Sequence, residues 1–376
     1  MNHTIQHKRI LYVVAESSYF MSHRLPLALK AIEKGYTVAL ASDSKDFEEH
    51  KSCLEKKGIK VFHVPFDRAG MNPMKDLQTL RSLHRVMEEF RPDIVHNVAM
   101  KPILYGSLLA KGLRVPKIIN AIAGFGSVFS GVSAKARLLK GPMTIALKLA
   151  LRNTAVIVQN YEDRDTVKAW IRGKGTVNLI LGAGVDCDVF TPAKNFPQSS
   201  IITFVSRMLW SKGVGELVEA ARMLKQSHPN ALIQFVGEPD LENPDHVPEA
   251  LLQTWHDEGV IQWLGKRSDI AALYQKSQIA VLPSYREGLP KSLLEACACG
   301  VAIVTTDVPG CREVVEDGVN GRLVPAKNAQ ALYRCLSDLL NDPIRCEAMG
   351  RASRERALKF FESDMIQEET IKIYNP

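Results

Sequence analysis

Short apolar runs rich in β-branched residues alternate with amphipathic stretches along the whole chain, a pattern that predicts parallel sheets covered on both faces by helices. In the first half the strands read RILYVVA, TVALAS, IKVFHV, DIVHNV, KIINAI, AVIVQN and VNLIL. Helical stretches such as LPLALKAIEKG separate them, and Gly35 suits the position just past a helix end. Asp188 to Pro197 lacks regular pattern and holds two prolines. The alternation then resumes with IITFVS, ALIQFVG, VIQWLG, IAVLPS, AIVTT and GRLVP. Two consecutive Rossmann-like, doubly wound α/β units joined near residue 190 are expected. A chain of 376 residues suits two such domains. Ligands of open α/β sheets sit at the carboxyl ends of the strands, so the cleft between the two units is the expected site.

Composition narrows the class. With 46% hydrophobic residues the chain has material for two cores. No stretch approaches the ~18 apolar residues of a membrane-spanning helix. The run Ile10 to Ala15 behind the basic N-terminus is too short for a signal peptide and reads as a first strand. A cytoplasmic location is expected. Seven cysteines, an odd number without paired CxxC spacing, read as reduced, buried thiols.

Charge is uneven. Residues 1–190 carry 28 Lys/Arg against 17 Asp/Glu, and residues 191–376 carry 20 against 24. Between Asp93 and Glu162 there is no acidic residue, while nine cations fall there. Such a run asks for an anionic partner. It carries no nucleic-acid reader motif, and its apolar residues suit a helix at an interface, so nucleic acid is not the expected partner. Lys135, Arg137, Lys140, Lys148 and Arg152 are the expected contacts to an anionic membrane. Gly141-Pro142 should break the segment, and Met143, Leu147 and Leu151 then form an apolar stripe beside Lys148 and Arg152. That stripe either lies in the headgroup region or packs into the first domain.

The chemistry gathers at two strand ends. In LPSYREGLPKSLLEACACG, residues 282–300, Glu287 and Gly288 lie in a turn, Pro290 fits the first position of a helix, and Glu295 follows inside it. First-turn amides of that helix make an anion site. The two carboxylates can accept hydrogen bonds from sugar hydroxyls. In SRMLWSKG, residues 206–213, Arg207 follows a strand and Lys212 opens the next helix, two cations suited to a diphosphate leaving group. Either cation could instead be an ordinary surface residue. In the first half, His23, Asn97 and Lys101 stand near strand ends as candidate acceptor contacts.

The order SR-x4-KG, then EGLP-x4-LEA, then DVPGCREVVEDGVNGRLVP resembles the large retaining GT-B glycosyltransferase family 4. LPSYREGLP, with GEPDLENP upstream, is similar to its capsule and O-antigen branch, which includes N-acetylhexosaminyltransferases acting on polyprenyl diphosphates. The resemblance implies a UDP-sugar donor, a polyprenyl-diphosphate-linked acceptor, peripheral attachment to the inner face of the plasma membrane, and no cofactor or metal. By position, it gives Arg207 and Lys212 the donor diphosphate and Glu287 the donor sugar. Gly288, Leu289 and Pro290 come near sugar and phosphate, Glu295 takes the ribose, and Gly265, Lys266 and Arg267 border the uracil. It implies domains at 1–187 (acceptor and membrane side) and 188–355 (nucleotide-sugar side), with a helix in 356–376 crossing back. Many members carry a glycine-rich loop after the first strand. Here ESSYFMSH has no glycine, and Ser17 and Ser18 are its substitutes.

Asp186-Cys187-Asp188 imitates a DxD metal motif, but its setting reads as a structural turn, so no metal is expected. Two other functions fit a two-domain architecture of this kind. A non-hydrolysing UDP-sugar epimerase needs acid/base carboxylates around the reacting carbon, a set this pattern lacks. A silent UDP-sugar-binding module has no reason to keep both glutamates and both cations.

Overall fold

The structure is a computed structural model, and it describes residues 8–43, 46–67, 72–125, 134–197 and 199–375, with the backbone alone over 134–139. The chain divides into two compact units, one of residues 1–183 and 366–376, the other of residues 184–365.

The first unit is built on strands β1 (Arg9–Glu16), β2 (Thr37–Asp43), β3 (Lys60–His63), β4 (Ile94–Val98), β5 (Lys117–Ile122), β6 (Thr154–Val158) and β7 (Gly175–Leu179). They form one parallel sheet in the order β3-β2-β1-β4-β5-β6-β7. Helices α1 (Ser17–His23), α2 (Leu25–Glu33), α3 (Phe47–Glu55), α4 (Pro73–Phe90), α5 (Met100–Gly112), α6 (Ala134–Leu151) and α7 (Tyr161–Ile171) connect them. Because the sheet is covered on both faces, β4 is buried at all five positions. Helices α4 and α5 pack one face over Leu11, Val13 and Val95. On the other face the Tyr374 hydroxyl lies 2.7 Å from that of Tyr12 and 2.8 Å from His96 Nδ1.

The second unit repeats the scheme with β8 (Ile201–Val205), β9 (Leu232–Val236), β10 (Gln262–Trp263), β11 (Ile279–Leu282), β12 (Ala302–Thr306) and β13 (Gly321–Val324), ordered β10-β9-β8-β11-β12-β13. Its helices are α8 (Val214–Ser227), α9 (Glu249–Asp257), α10 (Ile270–Tyr274), α11 (Lys291–Ala298), α12 (Cys311–Val314), α13 (Ala329–Leu340) and α14 (Pro343–Phe360). A last helix, α15 (Ser363–Tyr374), leaves this unit after Met365 and finishes in the first.

Gly141-Pro142 does not break the basic segment, contrary to expectation: α6 runs through Pro142 as one helix of 18 residues. Both residues are exposed. The helix keeps its packing on Leu147 and Leu151 beyond it. Those two leucines are fully buried, and Met143 packs against their cluster. The stripe Met143-Leu147-Leu151 therefore belongs to the core. Ile145 and Leu149, 62% and 59% exposed, are the apolar residues this helix leaves on the surface.

Candidate functional site

In the second sheet β8 lies between β9 and β11, where the strand order reverses. The carboxyl ends of β8 and β11 open at that switch point, where such sheets bind ligands. Lys212 comes from a 3-10 turn, Trp210–Lys212, after β8, and Glu287 from the turn after β11. The structure brings them together: Lys212 Nζ lies 2.5 Å from Glu287 Oε1. Ser284 Oγ donates to the same oxygen at 2.6 Å. The Lys212 and Glu287 side chains are only 18% and 10% exposed. Both hydrogen bonds end on Oε1, and among the described residues none ends on Oε2.

Two glycines permit this geometry. Gly213 has φ +75°, and a Cβ there would stand 2.2 Å from the Pro283 carbonyl oxygen. Gly310, at φ +85°, closes against the Glu287-Gly288 backbone, where a Cβ would meet the Gly288 oxygen at 2.7 Å. An L side chain at either position opposes both the dihedral and the contact. Tyr285 fastens the turn from the other side. Its amide donates to Ser211 O at 2.9 Å, and its hydroxyl donates to Glu216 Oε1 at 2.7 Å.

Arg207 also has an acidic partner. Its Nη1 lies 2.6 Å from Asp240 Oδ2, and Asp240 is 12% exposed where Arg207 is 55% exposed. Asp240 belongs to the segment after β9, which grips the 206–213 segment through the backbone. Met208 N donates to Glu238 O at 3.0 Å, Trp210 N to Asp245 O at 2.9 Å, and Ser211 N to Asp245 Oδ2 at 2.9 Å. Sequence reasoning assigned no role to Asp240, Ser284, Tyr285 or Gly310 in this site. Each sat inside a motif already noted, GEPDLENP, LPSYREGLP or DVPGCREVV.

Pro290 precedes α11 as its N-cap rather than opening it, with φ −75° and ψ 114°. Gly288, Leu289 and Pro290 are all buried. Glu295 sits on α11 among buried Leu293, Leu294, Ala296 and Cys297. Among the described residues its one ion pair is to Lys291 Nζ at 3.5 Å. Burial pushes its carboxyl above the ordinary range, against the pull of Lys291. Burial likewise pushes the Cys297, Cys299 and Cys311 thiols up to about 12, so they stay protonated and unreactive.

Gly265, Lys266 and Arg267 follow the edge strand β10, two strands from β8. Gly265 O accepts from Gly237 N at 2.8 Å, tying that edge to the end of β9. Lys266 is exposed, and Arg267 forks onto Asp269 at 2.8 and 2.7 Å. Asp186 Oδ1 accepts from the amides of Asp188 and Val189 at 2.9 and 3.0 Å, which makes that segment a turn.

In the first unit the candidates scatter. Ser17 is buried and its hydroxyl lies 2.7 Å from His50 Nδ1, while Ser18 is exposed beside it on α1. His23 stacks on Tyr19 with ring centres 4.2 Å apart. Asn97 does not offer its side chain to an acceptor. It is fully buried, its Nδ2 donates to Asn120 Oδ1 at 2.9 Å, and Gly106 of α5 leaves it room. Lys101 donates to the carbonyl of Asp67 and pairs with Asp76 at 3.0 Å, an internal tie rather than a free cation. Lys140 is exposed, and Lys148 and Arg152 are half-buried. The side chains of Lys135 and Arg137 lie outside the described residues.

Two family patterns match the chain: "Glycosyl transferases group 1" over residues 190–356 and "Glycosyl transferase 4-like" over residues 9–160. The chain is 30% identical to the N,N'-diacetylbacillosaminyl-diphospho-undecaprenol alpha-1,3-N-acetylgalactosaminyltransferase of Campylobacter jejuni, over 87% of this chain and 89% of that one. It is 23% identical to the UDP-Gal:alpha-D-GlcNAc-diphosphoundecaprenol alpha-1,3-galactosyltransferase of Escherichia coli, over 81% and 80%. Among solved structures, sucrose-phosphate synthase from Thermosynechococcus elongatus superposes with a TM-score of 0.79 at 19% identity, covering 98% of each chain. Anabaena HepE in complex with UDP-glucose gives 0.77 at 19% identity, over 98% and 99%. The fold is that of these two-domain GT-B enzymes.

Proposed function

We propose that this chain, a member of the glycosyl transferase group 1 family, acts on lipid-linked sugars in surface-glycan synthesis as a retaining transferase that moves a sugar from a UDP-sugar to a polyprenyl-diphosphate-linked saccharide. An N-acetylhexosamine is the donor sugar this reading favours, because the Campylobacter jejuni relative is named for one. The observation that carries the reading is the meeting of Lys212, Glu287 and Ser284 at the switch point of the second sheet.

In this reading Arg207 and Lys212 hold the donor diphosphate and stabilise it as it leaves, which is electrostatic catalysis without a required ion. The diphosphate shares Lys212 with Glu287, whose Oε2 accepts from a donor-sugar hydroxyl. The backbone of Gly288, Leu289 and Pro290 borders sugar and phosphate. Glu295 takes the ribose hydroxyls: a buried carboxylate with one distant cation gains most from two added donors. Gly265, Lys266 and Arg267 border the uracil. Ser17 and Ser18 meet the donor phosphates from the first unit, and His23 meets the acceptor. The enzyme works peripherally at the inner face of the bacterial plasma membrane. Among the described residues no helix is long and apolar enough to cross a membrane.

The test is a screen of UDP-sugars against synthetic polyprenyl-diphosphate sugars, with the anomeric configuration of the product read by NMR. Transfer with retention from one UDP-sugar is the expected result. Inversion, or activity only with another nucleotide, overturns the reading.

A further inference from the structure

At the amino edge of the first sheet, away from the strand ends that carry Ser17, a cavity of about 440 Å³ opens between the ends of α5 and α6. Lys111, Arg114, Arg152 and Lys174 line it together with Leu149, and no acidic residue does. Arg114 precedes β5, Arg152 stands between α6 and β6, and Lys174 precedes β7, so three separate connections deliver cations to one place.

Cations at helix carboxyl ends have an ordinary use, since they answer the partial negative charge of the last carbonyls. Lys111 is used that way: its Nζ donates to Leu149 O at 2.7 Å and Ala150 O at 2.8 Å. The other three are not. Among the described residues, the side chains of Arg114, Arg152 and Lys174 make no hydrogen bond or ion pair. Burial and the neighbouring Arg152 push the Lys111 ammonium below its usual value, so the cluster works against itself until negative charge enters it. Surfaces that mix signs avoid that cost, and this one does not.

The rim indicates the kind of anion. Leu149, 59% exposed, lies in the cavity wall, and Ile145, 62% exposed, stands one turn before it on α6. Cations around an open hollow with exposed aliphatic side chains beside it match a headgroup above acyl chains.

We propose that this cavity seats the phosphodiester headgroup of an anionic phospholipid, as a membrane-docking site separate from the residues that hold donor and acceptor. It rests on the membrane-surface reading above, and it adds Arg114 and Lys174, which that reading did not use.

Flotation of the full chain with vesicles tests it. Phosphatidylglycerol/phosphatidylcholine vesicles should carry the protein, and pure phosphatidylcholine vesicles should not. Changing Arg114→Glu and Lys174→Glu together should weaken flotation at least about tenfold, at roughly fivefold or more per charge near a membrane surface. Arg114→Gln with Lys174→Gln, melted beside the parent, guards against a folding defect and should give a smaller loss in the same direction. Leu149→Ser should weaken flotation and leave pyrophosphate binding, followed by calorimetry, unchanged. Transfer to a short, water-soluble acceptor should persist in every variant. Flotation that survives both double variants overturns the proposal. So does pyrophosphate binding that the double variants abolish while flotation stays intact, which would mark a site for free phosphate. Loss of transfer to the soluble acceptor would move the cavity into catalysis. If the parent transfers no sugar at all, the proposed reaction fails while flotation still decides the lipid site.

Discussion

Ser284 Oγ stands 2.6 Å from Glu287 Oε1, the same oxygen that Lys212 Nζ approaches at 2.5 Å. One carboxylate oxygen is thus held by a hydroxyl and an ammonium, and the side chain cannot rotate without breaking both. Ser284 is a positioning residue for Glu287. A hydrogen bond to a charged group contributes about 1.5–3 kcal/mol, so Ser284→Ala should cut kcat about tenfold or more. KM for the donor should change little, and Ser284→Thr should restore most of the loss. Steady-state kinetics check it, and equal kcat in parent and Ser284→Ala would remove Ser284 from the site.

The two cations should separate in stability. Arg207 is half-exposed, so Arg207→Ala should melt within about 1 °C of the parent, because surface ion pairs contribute little. Lys212→Ala leaves Glu287 covered with only Ser284 beside it and should melt several degrees lower. Turnover should fall at least about tenfold in both, as expected for loss of a charge-assisted contact. Thermal melts without ligand, run beside the assays, check both halves.

The paired carboxylates should divide their effects. Glu287→Gln should damage turnover more than UDP affinity, and Glu295→Gln should chiefly weaken UDP binding, both followed by calorimetric titration. The reverse pattern would exchange their roles.

Glu295 also makes a prediction about pH. Its carboxyl is raised in the folded state, so the folded chain holds that proton more tightly than the unfolded one. The stability this gives is fully present below the unfolded carboxylate range and is lost as pH rises through the raised value. Above the raised value the charge is buried at a cost, and Glu295→Gln should therefore melt higher than the parent there. The gap should narrow as the pH falls toward 4. Melting curves across that range check the sign.

Transfer should persist in excess EDTA, because side-chain cations neutralise the leaving diphosphate in the proposed mechanism. A requirement for Mg²⁺ or Mn²⁺ would return Asp186 and Asp188 to consideration as ligands.

The fold was legible because period and composition report burial directly. RILYVVA became β1, and the resumed alternation after Pro197 became the second sheet. VIQWLG shrank to the two residues of β10, since an edge strand pairs on one side only. The sequence marked the cations and carboxylates of the candidate site but not their pairing. Lys212 and Glu287 are 75 positions apart, and no spacing rule says which acid meets which base. Asn97 read as a polar residue at a strand end, because the missing side chain of Gly106 that lets it turn inward belongs to another element. In α6 the helical period gave the stripe Met143-Leu147-Leu151 but not its destination, and only packing could send Leu147 and Leu151 to the core and leave Ile145 and Leu149 outside.

Tyr12 and Tyr374 share a buried hydrogen bond across 362 positions of chain. Synthesis delivers Tyr12 early and Tyr374 only after the whole of residues 184–365, a contiguous unit that can close by itself. The first unit is therefore begun first and completed last. During that interval Tyr12 and His96 wait without the hydroxyl of Tyr374. A ribosome stalled anywhere in the second unit holds a nascent chain whose first unit still lacks that partner.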